Sequence, residues 1–237
     1  MKISIVIPVY NESKTIITVL NNIKKLIENN PHAFQIIIVN DGSTDNTDVL
    51  IQKEKNLYNE YIKLEKNSGK GSALKEGFKK CDGDITIIQD ADLEYNPNDY
   101  EKLIEPFLKY NADVVYGSRF KSSETNRVLF FWHSVANKII TIFSNIFSDL
   151  NLTDVETGYK VFRTSMLKNL NIEEKSFGIE IELTHKIANI KPQPKIYEVG
   201  ISYNGRTYSE GKKIGPKDAF FALYCILKYG FIKKFFS

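Results

Sequence analysis

The sequence predicts an α/β domain on a mostly parallel, Rossmann-like sheet with helices on both faces. Three observations carry that expectation. Apolar β-branched runs recur along the first half, helical periodicities separate them, and polar or acidic residues fall at the ends of the runs.

The elements follow in order. Ile3–Ile7 reads as a buried strand, and Ile16, Val19, Leu20, Ile23, Leu26 and Ile27 recur at helical spacing before the strand Phe34–Val39. A helix around Asp48–Lys55, a short strand at Ile62–Leu64 and a helix from Lys70 to Lys80 come next. The strand Ile85–Gln89, a helix near Asp99–Tyr110 and the strand Val114–Tyr116 complete the regular half. Beyond Arg119 the pattern loosens, which divides one domain, residues 1–237, softly into halves 1–119 and 120–237, the second more helical.

Composition narrows the class. The 237 residues, 42% hydrophobic, can bury one sizeable core. A net charge of +3, from 32 basic against 29 acidic residues, is too balanced to argue for a nucleic-acid partner. Cys81 and Cys225 stand alone, so no disulfide framework or zinc site is expected, and a reducing, cytosolic setting fits. The apolar N-terminal run is broken at Pro8, too early for a signal peptide.

Chemistry concentrates at the strand ends. Asp90-Ala91-Asp92 closes the fourth strand, where α/β sheets keep their ligands; two acids at alternate positions can share a divalent cation with a diphosphate, or simply cap an Asx turn. The first strand ends in Pro8-Val9-Tyr10-Asn11-Glu12 without glycine, which disfavours a dinucleotide fingerprint. Val39-Asn40-Asp41-Gly42-Ser43 puts a carboxylate at the second strand tip, able to accept hydrogen bonds from a base or ribose. Asn67-Ser68-Gly69-Lys70-Gly71 opens a helix but lacks P-loop spacing.

In combination these segments, with Gly117-Ser118-Arg119, resemble family 2 glycosyltransferases of the GT-A fold. Glu156-Thr157-Gly158-Tyr159-Lys160, Phe177-Gly178-Ile179-Glu180 and the stretch Tyr203 to Lys213 are similar to the branch that makes polyprenyl-phosphate sugars, such as dolichyl-phosphate mannose synthases. The resemblance implies inverting transfer of a hexose, mannose or glucose, from a GDP- or UDP-sugar to a dolichyl or undecaprenyl phosphate. It places Pro8, Tyr10, Glu12, Val39 and Asp41 around base and ribose, and Asp90, Ala91 and Asp92 along the diphosphate. Asp92, with Glu94, would hold Mg²⁺ or Mn²⁺; Arg206 and Lys212 would grip donor phosphates; Arg119, Arg127 and Ser134 would take the acceptor phosphate. A rival glycosyltransferase acting on a hydroxyl would need a base, for which Glu156 or Glu180 is available. A third reading is a non-catalytic nucleotide-binding protein at a membrane.

A lipid acceptor requires membrane contact. No stretch approaches 18 apolar residues. From Val128 to Leu150, however, Ser134, Asn137, Lys138, Thr141, Asn145 and Ser148 lie opposite Phe131, Val135, Ile139, Ile142, Phe143 and Ile146, as an interfacial helix or one packed on its own core would require. Aromatics and lysines from Phe220 to Phe236 suit headgroups. The expectation is peripheral attachment on the cytosolic face, or anchoring borrowed from a partner subunit.

Overall fold

A computed structural model describes residues 1–28, 30–121, 127–128, 130–207, 210 and 215–232. Among these residues seven strands form one sheet: β1 (Lys2–Val9), β2 (Ala33–Asn40), β3 (Glu60–Lys63), β4 (Ile85–Ile88), β5 (Val114–Ser118), β6 (Lys160–Arg163) and β7 (Ile196–Gly200). Their spatial order is β3-β2-β1-β4-β6-β5-β7. Pairing is parallel except around β6, which runs antiparallel to β4 and β5.

Among the described residues eight α-helices accompany them: α1 (Ile16–Glu28), α2 (Thr47–Lys53), α3 (Lys70–Lys80), α4 (Tyr100–Lys109), α5 (Phe131–Ser148), α6 (Thr164–Asn169), α7 (Ile179–Ala188) and α8 (Pro216–Ile226). Alternation along β1 shows why the sheet is covered twice. Ile3, Ile5 and Ile7 face one core with residues of α1 and α4, while Val6 faces a second core with residues of α3 and α7.

The third strand starts two residues earlier than its apolar pattern implies, because β2 aligns Ile37 with Glu60 and carries the partly polar segment into register. The second half also supplies β6 and β7. Val161 pairs with Ile87, and Val199 with Gly117, so the sheet crosses the soft boundary at Arg119. These strands are short and one holds a buried lysine, which hides them from an alternation test.

The chain runs from β1 outward to β3, then returns to place β4 on the other side of β1. That reversal leaves a crevice at the carboxyl ends of β1 and β4, the general ligand position of open α/β sheets.

Candidate active site

Hydrogen bonds fasten the strand-end loops to one another. Asn11 adopts φ 52°, its amide donates to Ser43 Oγ at 3.0 Å, and its side-chain carbonyl accepts from Thr44 N at 2.8 Å. The Glu12 amide donates to Thr47 Oγ1 at 3.0 Å. Thr15 Oγ1 reaches both Glu12 Oε2 and the Ala91 carbonyl at 2.9 Å, tying the acidic turn after β4 to the start of α1.

Asp41 accepts from the Ser68 and Gly69 amides at 2.8 Å each. Burial pushes its carboxyl up, against those two donors. Gly69 has φ 95°, and a Cβ there would fall 2.2 Å from the Lys175 carbonyl, so this turn requires glycine. Pro8 and Tyr10 are partly exposed at the same end. Val39 differs from expectation: its side chain is wholly enclosed beneath α3, so this position can meet a ligand only through its backbone.

Asp92 and Glu94 converge on Arg206. Its Nη2 lies 2.6 Å from Asp92 Oδ2, its Nε 3.3 Å from Glu94 Oε1 and its Nη1 3.4 Å from Glu12 Oε1. Burial, then the neighbouring Asp90 and Glu94 charges, raise the Asp92 carboxyl to about 7, while Arg206 opposes the rise. Hard carboxylate oxygens with excess negative charge fit a divalent cation. Among the described residues no three acidic, histidine or cysteine side chains lie close enough to enclose an ion by themselves.

Asp90 belongs to a different network. Its Oδ1 is 2.7 Å from Lys70 Nζ, which is 3.0 Å from Glu180 Oε1, and Glu180 Oε2 is 2.5 Å from Lys160 Nζ. Burial works against charge on Glu180, but Lys160 and Lys70 outweigh it and hold the carboxyl below its ordinary value. Gly158 passes so close that a Cβ would stand 2.3 Å from Asp90 Oδ2. Nearby, Glu156 Oε1 is enclosed without a hydrogen-bond partner among the described residues, and burial raises that carboxyl to about 7.

Sequence reasoning missed the part played by Lys70, Lys160 and Asp154. A lysine opening a helix opposes the helix dipole, and a lysine sharing a buried strand face with Phe162 needs a carboxylate; either could have signalled an internal ion pair. Asp154 carries no such mark.

The proposed acceptor residues are not gathered on one anion. Arg119 is partly buried and grips Asp154 through Nε and Nη2, both at 2.7 Å, with its guanidinium over Tyr203. Arg127 donates to Glu210 Oε2 at 2.8 Å and to the Gly205 carbonyl at 3.1 Å. Ser134 sits, partly buried, in the first turn of α5. Lys212 lies outside the described residues.

A mostly parallel sheet with helices on both faces and carboxylates at the ends of β1 and β4 is the architecture of GT-A glycosyltransferases, and the family match places the chain in that class. The chain belongs to glycosyl transferase family 2, whose family model matches residues 4–170. It is 27% identical over 220 residues to a dolichol-phosphate mannosyltransferase of Pyrococcus furiosus, covering 90% of this chain and 61% of that protein. It is 31% identical over 186 residues to a UDP-N-acetylglucosamine–dolichyl-phosphate N-acetylglucosaminyltransferase of Methanococcus voltae, covering 71% and 72% respectively. The chain thus spans about three fifths of the first relative's length. A solved structure of glucosyl-3-phosphoglycerate synthase from Mycobacterium tuberculosis, with Mn²⁺ and UDP-glucose, superposes with a TM-score of 0.74. The match covers 97% of this chain and 79% of that one at 18% identity, a likeness of fold.

Proposed function

We propose that the chain transfers a sugar from a GDP- or UDP-linked donor to a polyprenyl phosphate at a membrane surface. The observation that carries the acceptor is the reversed face of α5. Thr141, Ser144 and Ser148 point inward, where Ser144 meets His185 and Asn145 pairs with the Leu152 backbone. Phe131, Trp132, Ile139, Ile142, Phe143 and Ile146 face out, Trp132 75% and Ile146 68% exposed. Phe220, Tyr224 and Leu227 extend the apolar surface onto α8 and the turn after it, which pack beside α5. Exposed apolar area of this kind suits a lipid interface. No described helix is long and apolar enough to cross a membrane. In this reading the chain works peripherally on the cytosolic face, through α5 and α8 or with an anchoring partner subunit; residues 233–236 of the basic-aromatic tail lie outside the described residues.

The chemistry follows from charge. A phosphate monoester, with a second pKa of about 6, is ionised at pH 7 and attacks the anomeric carbon without a base, inverting it as the nucleoside diphosphate leaves. Asp92 and Glu94 would hold Mg²⁺ or Mn²⁺, which when bound neutralises charge on the leaving diphosphate. Arg206 would fork onto donor phosphates and Lys212 would add a point charge, with Pro8, Tyr10, Glu12, Asp41 and Asp90 lining the donor. Arg127, exchanging Glu210 for phosphate, would receive the acceptor beside Ser134. Arg119 would join them only by giving up Asp154.

One observation favours a second reading, transfer to a hydroxyl. Glu156 has an unpartnered carboxyl oxygen and a pKa raised to about 7, suited to a general base. The deciding experiment offers GDP-mannose, UDP-glucose or UDP-N-acetylglucosamine with a short polyprenyl phosphate and Mn²⁺ or Mg²⁺, with Asp92→Ala as control. Product from one donor, lost in the variant, supports the proposal. Transfer to hydroxyl acceptors alone, abolished in Glu156→Gln, overturns it.

A further inference from the structure

We infer that Arg206 is a resident counter-cation competing with the divalent ion for Asp92 and Glu94, so that ion binding is coupled to release of the 203–207 segment. This rests on the reading that those two carboxylates hold the ion.

The geometry is that of an occupied cation position. Three carboxylates from two strand ends, Glu12 at the end of β1 and Asp92 and Glu94 after β4, direct oxygens at one guanidinium. The neighbouring Asp90 is paired with Lys70 instead. The segment is fastened at the same place by three further bonds to Glu94. The Arg206 amide donates to Oε1 at 2.8 Å, Tyr203 Oη to Oε2 at 2.8 Å, and the Asn204 amide to the Glu94 carbonyl at 2.9 Å. Both Glu94 carboxylate oxygens are thus engaged by the segment, so an ion that draws on Glu94 loosens the segment's hold.

A guanidinium and a divalent ion compete for those oxygens. Their mutual repulsion within about 4 Å is of the order that separates bound from unbound states at a partly buried site. Arg206 needs another anion before it can leave, and a nucleoside diphosphate supplies planar pairs of oxygens matched to its fork. The consequence is thermodynamic: the diphosphate tightens the ion by the same factor by which the ion tightens the diphosphate. Removing the guanidinium should free the carboxylates for the ion and shrink that factor.

The test measures Mn²⁺ binding directly, by the electron paramagnetic resonance signal of the free ion, without turnover. Wild type, Arg206→Ala, Arg206→Met and Asp92→Asn are titrated with Mn²⁺ alone and with UDP or GDP present. We expect wild type to bind Mn²⁺ weakly alone and at least about tenfold more tightly with its cognate nucleotide. Both Arg206 variants should bind Mn²⁺ alone about tenfold more tightly than wild type, with the nucleotide effect reduced. Arg206→Met keeps the aliphatic stem if Arg206→Ala fails to fold, as near-ultraviolet circular dichroism reports. If both variants bind Mn²⁺ no more tightly than wild type while Asp92→Asn abolishes binding, the competition is refuted and the ion site stands. If Asp92→Asn binds Mn²⁺ as wild type does, or no protein binds it with either nucleotide, the ion site itself fails and the inference with it.

Discussion

Lys160 Nζ lies 2.5 Å from Glu180 Oε2, the lysine side chain fully enclosed on β6 and the glutamate at the start of α7. Lys160 also donates to the Thr157 carbonyl, and Glu180 carries a second ion pair to Lys70. Removing Lys160 takes away the shorter of the two ion pairs that compensate the buried Glu180 carboxylate. Lys160→Met is therefore expected to destabilise the fold by about 3–5 kcal/mol, whereas Lys160→Met with Glu180→Gln should regain part of that loss. Urea unfolding of both single variants and the double variant checks it; a double loss equal to the sum of the two single losses would mean the pair is not coupled.

Glu156 gives the opposite electrostatic sign. Its carboxyl rises from 4.5 to about 7, chiefly through burial, so between those pH values the folded state binds more protons than the unfolded one and stability falls as pH rises. Glu156→Gln stays neutral and escapes this. The variant should match or trail wild type below pH 4.5, then gain on it up to pH 7, by at most about 3 kcal/mol. Thermal unfolding of both proteins across that range gives the difference, and a gap that does not change with pH would refute the assignment.

Gly158 explains why the Asp90 network tolerates no side chain beside it. A methyl group there would sit 2.3 Å from Asp90 Oδ2 and 3.0 Å from Tyr95 Cε2, and the Gly158 amide already donates to Tyr95 Oη at 2.7 Å. Gly158→Ala should push Asp90 off Lys70, lowering sugar transfer about a hundredfold or more, as displacements near 1 Å can. Activity within tenfold of wild type would show that Asp90 is free to move.

How far such sites can be read from sequence depends on what fixes them. The helix from Lys70 to Lys80 and the strand from Ile85 were legible because local periodicity and the Gly69 break define them. The acids of the Asp90–Glu94 turn were legible because strand ends are where open sheets carry ligands. The partners were not. Arg206 meets Asp92 across 114 residues, Lys160 meets Glu180 through the antiparallel β6, and Arg119 is held by Asp154; each depends on tertiary placement that no local pattern encodes. The amphipathicity of α5 was visible, but a periodic stripe does not say which side meets the protein. The burial of Thr141, Ser144 and Ser148, with the bonds of Ser144 to His185 and of Asn145 to Leu152, decides that.

That orientation makes the apolar stripe of α5 testable apart from the fold. Ile142 and Ile146 are 57% and 68% exposed, one turn apart, so Ile142→Glu with Ile146→Glu removes no core contact and leaves the inward hydrogen bonds of Thr141, Ser144 and Asn145 in place. Burying one such side chain in an apolar phase is worth about 1.5–3 kcal/mol, so losing two should reduce partitioning onto anionic phospholipid vesicles by at least about tenfold. The melting temperature should stay within about 2 °C, since exposed substitutions of this kind change stability by about 0.5 kcal/mol or less. Sedimentation with vesicles, beside a thermal melt of the same preparation, reads both quantities. Unchanged partitioning would take the outward face of α5 away from the membrane and leave the acceptor proposal without its carrying observation.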